Sequence, residues 1–293
     1  MKKMTLTILL AGLTAPAISD EQQLKGMTTD YASNWLSENL TERAAEVFDY
    51  ASARITLGGK PEYDLTVLKA YDQDGAASQF WFSQLNANRT SDYTTVNLGL
   101  GFRRFSENKH WLVGANAFYD HEFPYDHQRW GAGLELKSSV VSFTSNQYWG
   151  LSDEKSDKNS VKMKVRDGAD YGLAIAIPYL PSSRIGYDYF RWDGLGSNQD
   201  TKGNKSYLSA QLTPWLGIEA GRKDFRSALE QDDNYVSLTF SHALGATDQP
   251  VGLSVSESAY QLRSVDYLRH KPVRRHNKLV KSTTSFSGRA VGL

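Results

Sequence analysis

Residues 93–105 read Tyr93-Thr94-Thr95-Val96-Asn97-Leu98-Gly99-Leu100-Gly101-Phe102-Arg103-Arg104-Phe105. Val96, Leu98, Leu100 and Phe102 share one face of an extended chain, and Asn97, Gly99, Gly101 and Arg103 share the other. A period of two is the signature of a strand with one apolar face. The same pattern extends outward in both directions. Tyr171, Leu173, Ile175 and Ile177 oppose Gly172, Ala174 and Ala176. Ile185, Tyr187 and Tyr189 oppose Gly186 and Asp188. Val236, Leu238 and Phe240 oppose Ser237, Thr239 and Ser241. Twelve segments read as strands: 53–58, 62–71, 77–88, 93–105, 110–121, 129–136, 139–149, 169–178, 184–193, 205–213, 216–225 and 234–244. A soluble sandwich also presents one apolar face per strand, so alternation alone leaves two architectures open.

The connections separate them. Links after even strands are short: Asp72-Gln73-Asp74-Gly75, Ser106-Glu107-Asn108-Lys109, Lys137-Ser138, Tyr179 to Ser183, and Pro214-Trp215. Links after odd strands are longer and more polar, notably Gly150 to Gly168, Gly194 to Asn204 and Arg226 to Asn234. Short turns at one end and long loops at the other mark an outer-membrane barrel, as does an even strand count. Aromatics near strand ends (Trp81, Phe82, Trp111, Tyr119, Trp130, Trp149, Trp192, Trp215, Tyr235) suit an interfacial girdle. The expected fold is all-β: a twelve-stranded antiparallel transmembrane β-barrel preceded by a short periplasmic α-helix.

The ends of the chain agree. Lys2 and Lys3 precede an apolar run from Thr5 to Ala15, and Ala17-Ile18-Ser19 supplies small residues for cleavage before Asp20. This is the pattern of a secretory signal peptide, too short for a spanning helix of about 20 residues. Residues 20–52 form the expected periplasmic segment, with helical spacing of Trp35, Leu36, Leu40, Ala44, Val47 and Phe48 over roughly 29–52. The barrel is expected over 53–244. Residues 245–293 form a basic tail with no apolar period, carrying Arg263, Arg269, Lys271, Arg274, Arg275, Lys278 and Lys281.

Composition excludes several classes. The 33 basic residues balance 33 acidic ones, without the basic excess that drives phosphate-backbone binding, so nucleic acid is excluded as a partner. There are no cysteines, hence no disulfide framework and no thiolate metal site. A mean hydropathy of −0.50 is compatible with a barrel, whose apolar and polar residues alternate. No cofactor is implied. The most site-like cluster is Tyr119-Asp120-His121-Glu122-Phe123-Pro124-Tyr125-Asp126-His127, which offers metal-ligand and acid–base chemistry. The reading favoured here is solvated loop residues, and an enzyme is the least supported class. The charged loop 152–167 likewise reads as solvated. Arg103, Asp120, Arg129, Glu135, Asp188 and Glu219 fall on polar strand faces, where charges pair with each other or with a threaded segment. The basic tail is the expected complement of Glu135, Asp188 and Glu219.

Leu98 to Phe105, followed by Gly114-Ala115-Asn116-Ala117-Phe118-Tyr119-Asp120-His121-Glu122-Phe123, resembles the translocator domain of the intimin/invasin family, the inverse autotransporters. Arg129 to Glu135, Lys137 to Val140, Tyr179 to Ser182 and Thr213-Pro214 match further family motifs. Val273-Arg274-Arg275-His276-Asn277 is similar to the family's linker motif, with His276 in place of an Asn. The resemblance implies a barrel in the outer membrane of a Gram-negative bacterium, in contact with lipid and lipopolysaccharide. It also implies periplasmic chaperones and barrel-insertion machinery as partners. The segment after the last strand would thread back through the pore toward a displayed passenger. No passenger follows the motif here, so the expectation is a barrel that exports or displays its own tail, or a separately encoded secreted protein. The alternatives are a surface barrel acting as adhesin or structural protein through its loops, with the tail as plug, and a remnant without export activity.

Overall fold

The computed structural model describes residues 47–58, 61–72, 76–157, 160–196, 199–226, 231–243 and 252–283. The strands are β1 (Tyr50–Leu57), β2 (Glu62–Tyr71), β3 (Gln79–Arg89), β4 (Thr94–Phe105), β5 (Trp111–Phe123), β6 (His127–Ser138) and β7 (Val141–Gly150). After them come β8 (Lys155–Ser156), β9 (Lys162–Val165), β10 (Gly168–Ile177), β11 (Leu180–Trp192), β12 (Thr201–Gln211), β13 (Leu216–Phe225), β14 (Asp233–Ala243) and β15 (Lys281–Ser282). Twelve of them close into a barrel in the order β1-β14-β13-β12-β11-β10-β7-β6-β5-β4-β3-β2. Every pair is antiparallel, and closure is made by β1 on β14, from Tyr50 opposite Ala243 to Leu57 opposite Val236. Barrel strands run from 8 to 13 residues, close to what a tilted strand needs to cross a bilayer.

The direction of the two faces decides the environment. Leu98, Leu100, Val113, Leu134 and Ile185 are exposed, Leu134 and Ile185 at 61%. Asn97, Arg103, Asp120 and Arg129 are fully buried. A soluble sandwich buries its apolar face and wets the polar one. Here the polar face is inside and the apolar face outside, the arrangement that hydrocarbon solvates. Inward glycines make room for bulky neighbours: a Cβ on Gly99 would stand 2.2 Å from the Phe118 ring, and one on Gly101 2.3 Å from Phe82.

Three strand starts differ most from the sequence reading, and the sorting of the loops differs as well. The barrel starts at Tyr50, because residues 50–52 pair on both sides, with 243–241 of β14 and with 68–66 of β2. The expected helix therefore cannot extend over 50–52; its remainder up to residue 46, and the signal segment 1–19, lie outside the described residues. β11 begins at Leu180, through a register shift at Ala176/Ile177. Pro181, which lacks an N–H, fits there because pairing with β12 starts only at Ser183. β12 starts at Thr201, opposite Trp192. Finally, long loops join β7 to β10, β11 to β12 and β13 to β14, but tight turns join β3 to β4 and β5 to β6 at the same end. Loop sorting thus rests on three connections. The girdle also divides. Trp81, Trp130, Trp149 and Trp215 are exposed, whereas Phe82, Trp192 and Tyr235 point inward and are buried.

Candidate functional site: the barrel interior and its tail

The tail meets the short-turn end of the barrel first. Ser256 N–H donates to the Tyr179 carbonyl, Tyr179 N–H to the Ala259 carbonyl, and Val265 N–H to the Lys109 carbonyl. Arg263 N–H donates to Ser139 Oγ at 3.0 Å. A short 3₁₀ turn, Asp266–Leu268, then brings Arg269 inside. Its guanidinium pairs with Asp72 and Asp266 and lies 4.9 Å from the ring centroids of both Phe80 and Phe105. Val265 and Val273 join Tyr50, Leu68, Phe80, Phe82, Phe105, Leu112 and Phe118 in one buried apolar cluster. This end of the lumen is packed like a core, with the tail as part of it.

The central segment is held by ions and main-chain hydrogen bonds. Asp120 is fully buried and accepts Nη1 and Nη2 of Arg275 at 2.8 and 2.7 Å, Nε of Arg129 at 2.8 Å and Nδ2 of Asn97 at 2.7 Å. Arg274 points to the opposite wall and donates to Glu219 at 3.0 Å and Asp188 at 2.9 Å. Lys205 and the Tyr235 hydroxyl complete the shell of Glu219 at 2.8 and 2.9 Å. Consecutive arginines of an extended segment thus clamp both sides of the barrel. Tail backbone groups are satisfied by wall side chains. Val273 N–H donates to Gln84 Oε1, Asn146 Nδ2 to the Arg274 carbonyl, His276 N–H to the Tyr148 hydroxyl, Arg129 Nη2 to the His276 carbonyl, and Asn97 Nδ2 to the Asn277 carbonyl. Without these partners, each buried peptide group would carry a desolvation cost.

The direction of the tail follows from β4. Arg103 Nη1 donates to the Arg269 carbonyl and Asn97 to that of Asn277. The strand rises roughly 20 Å between those two residues, and the tail advances along it. Beyond Asn277, Lys278 pairs with Glu62 at 2.6 Å. Arg166 N–H donates to the Val280 carbonyl, and β15 pairs with β9 in a small sheet β15-β9-β8. The segment therefore runs from the short-turn end to the long-loop end. The 152–167 loop is a folded cap at that end. Arg166 is buried and donates to the carbonyls of Trp192, Asp193 and Gln199.

Among the residues singled out from sequence, Asp120, Asp188 and Glu219 take tail side chains. Arg103 and Arg129 take tail carbonyls. Glu135 does not reach the tail; Arg103 at 2.6 Å and Lys137 at 2.5 Å neutralise it within the wall. Glu122 and His127, read as solvated, are fully buried beside Lys281. Asp126 does remain in solvent, where a hydrogen bond from Lys155 holds its carboxyl below the usual range. Sequence reasoning missed the tail-facing roles of Asn97, Gln84, Asn146 and Tyr148. Parity put Asn97 on the inward face, but no local signal announces a main-chain contact.

The family model described as "Inverse autotransporter, beta-domain" matches residues 11–277. The inverse autotransporter adhesin YeeJ of Escherichia coli K12 is 25% identical over 89% of this chain and 11% of its own length. A putative attaching and effacing protein homolog of the same strain is 28% identical over 65% of each chain. Intimin of Escherichia coli O127:H6 is 21% identical over 92% of this chain and 30% of its own. The chain thus spans from about a tenth to two thirds of these relatives. A solved structure reported as "Unveiling the Mechanism Behind the in-meso Crystallization of Membrane Proteins" shares the fold, with a TM-score of 0.66 at 18% identity over 79% of this chain and 98% of that one. With a matched model spanning barrel and linker motif alike, the chain belongs to the inverse autotransporter β-domains of the intimin/invasin family, barrels of the Gram-negative outer membrane.

Proposed function

We propose that this chain is a translocator whose lumen carries its own C-terminal segment from the periplasm to the cell surface. The supporting observation is the path of residues 265–282, paired with the wall from the short-turn end to the long-loop end. Short turns face the periplasm in outer-membrane barrels, so the long-loop end is the outside. The contacts that hold the tail are the same ones that fill the pore, so display and sealing are one act. Lipopolysaccharide surrounds the outer rim, and periplasmic chaperones and the insertion machinery deliver the barrel. Adhesion, the activity in the name of the YeeJ relative, would require chain presented beyond residue 283 or a separately encoded secreted protein passing the same pore.

The protein has no cysteine, so introduced ones report cleanly. Ser285→Cys should react with a membrane-impermeant maleimide on intact cells. Ser258→Cys should react only after the outer membrane is permeabilised. Labelling of Ser258→Cys on intact cells, or none at Ser285→Cys, contradicts the reading. Comparison of secreted proteins with and without the gene tests export in trans.

The second reading, a surface barrel sealed by its tail, draws on the β15-β9-β8 cap, which pins the tail at its exit. It expects the same labelling at Ser258 and an unchanged secreted proteome.

A further inference from the structure

Glu122 and His127 are directly opposed across the β5–β6 hairpin, next to its turn. Both are fully buried. Asp157 comes from the cap, where its N–H donates to the Val161 carbonyl and its own carbonyl accepts Ser160 N–H. One donor atom from each of Glu122, His127 and Asp157 lies within 4.8 Å of the other two. Lys281 of the tail stands among them. Its Nζ donates to Glu122 and, at 2.7 Å, to Asp157. The rings of Tyr93 and Tyr125 lie 4.5 and 5.6 Å from the same ammonium.

Two features do not fit a simple lysine–carboxylate contact. Both ring nitrogens of His127 lack a hydrogen-bond partner, as does Glu122 Oε2. Buried polar atoms of a native protein are paired, and an orphaned set of this kind points to a missing partner such as an ion. A neutral imidazole nitrogen with two carboxylate oxygens is the donor set of a zinc-type ion, not of calcium or magnesium.

We propose that Glu122, His127 and Asp157 form a binding site for a divalent transition-metal ion of the zinc type, and that Lys281 is the cation such an ion displaces. Donors at about 2.0–2.2 Å from zinc stand roughly 3.5 Å apart. The three side chains therefore close by about an ångström on binding. His127 supplies the nitrogen, Glu122 and Asp157 one oxygen each, and water completes the shell. Tail and metal compete for the same place. Metal binding withdraws Lys281, the residue that starts β15, and loosens the tail where it leaves the barrel. This site stands on its own residues and does not depend on the export reading.

The test uses the folded, tag-free full chain in detergent micelles, titrated with Zn²⁺ against a chromogenic chelator. Co²⁺ is a second probe through its visible absorption. Lys281→Ala should bind one Zn²⁺ per chain about 100-fold more tightly than the wild type, since a competing charge is gone. Adding His127→Ala should abolish that binding. Lys281→Gln provides the same comparison should the alanine variant fail to fold. The proposal is overturned if neither Lys281 variant binds zinc stoichiometrically. It is equally overturned if binding survives His127→Ala, or if the wild type binds as tightly as the variants.

Discussion

Asp120 shows how the interior is held at the level of single residues. It lies between Arg129 of the wall and Arg275 of the tail, with Asn97 as a further donor. A buried carboxylate is tolerable because both oxygens are saturated by charged donors. Asp120→Ala leaves two buried guanidinium groups without a counter-charge. It should lower the stability of the folded barrel by about 3–5 kcal/mol, read as a fall in the urea midpoint in micelles. Arg275→Ala should cost less, because the Arg129–Asp120 pair survives it. Equal losses would mean that Asp120 serves the tail alone. Period-two arithmetic placed Arg103, Asp120, Arg129, Glu135, Asp188 and Glu219 on inward faces. It could not name their partners. Those depend on the stagger between strands and on the register of the tail, which only closure of the barrel sets. Glu135 is the instructive case: its charge suited the tail equally well, but Lys137 sits two residues along on the same inward face and takes it.

The strand is the scale at which the sequence is most legible. Alternation over β4 and β5 is kept in the structure: Leu98, Leu100, Val113 and Ala115 face out and Asn97, Gly99, Arg103 and Asp120 face in, while Phe105, Leu112 and Phe118 are apolar residues on the inward face. The outward face is tuned to lipid. Leu98→Arg near the middle of β4 should therefore destabilise the barrel by roughly 2–4 kcal/mol, against 0–1 kcal/mol for the same change near an interface. Urea unfolding in lipid vesicles measures it. A null effect would deny that this face meets hydrocarbon. Legibility fails where a second pattern overlaps the first. Val47 and Phe48 continue a helical spacing up to β1, which masks the strand start; the pairing of residues 50–52 with β14 sets it. β8, β9 and β15 were invisible for another reason. β8 and β15 are Lys-Ser pairs too short to carry a period, and Lys162-Met163-Lys164-Val165 of β9 alternates over only four residues; they pair where the tail emerges beside the cap.

At the scale of the molecule, barrel and tail form one electrostatic unit. The tail brings Arg269, Arg274, Arg275, Lys278 and Lys281 to Asp72, Asp188, Glu219, Asp120, Glu62, Glu122 and Asp157. A sequence with no net charge thus separates into a wall with acidic residues and a basic plug. Removing the plug leaves a pore lined by carboxylates that have lost their tail partners, Asp120 and Glu219 keeping only the cations Arg129 and Lys205 of the wall. The measurement that tests this most directly is single-channel conductance in planar bilayers, comparing the full chain with a version truncated after Tyr260. The full chain should be closed or nearly so. The truncated barrel should show steady openings that select cations over anions, with selectivity weakening as salt screens the lining. A full chain that conducts like the truncated one, or a truncated barrel that is open but unselective, would contradict a tail seated by charge along the length of the lumen.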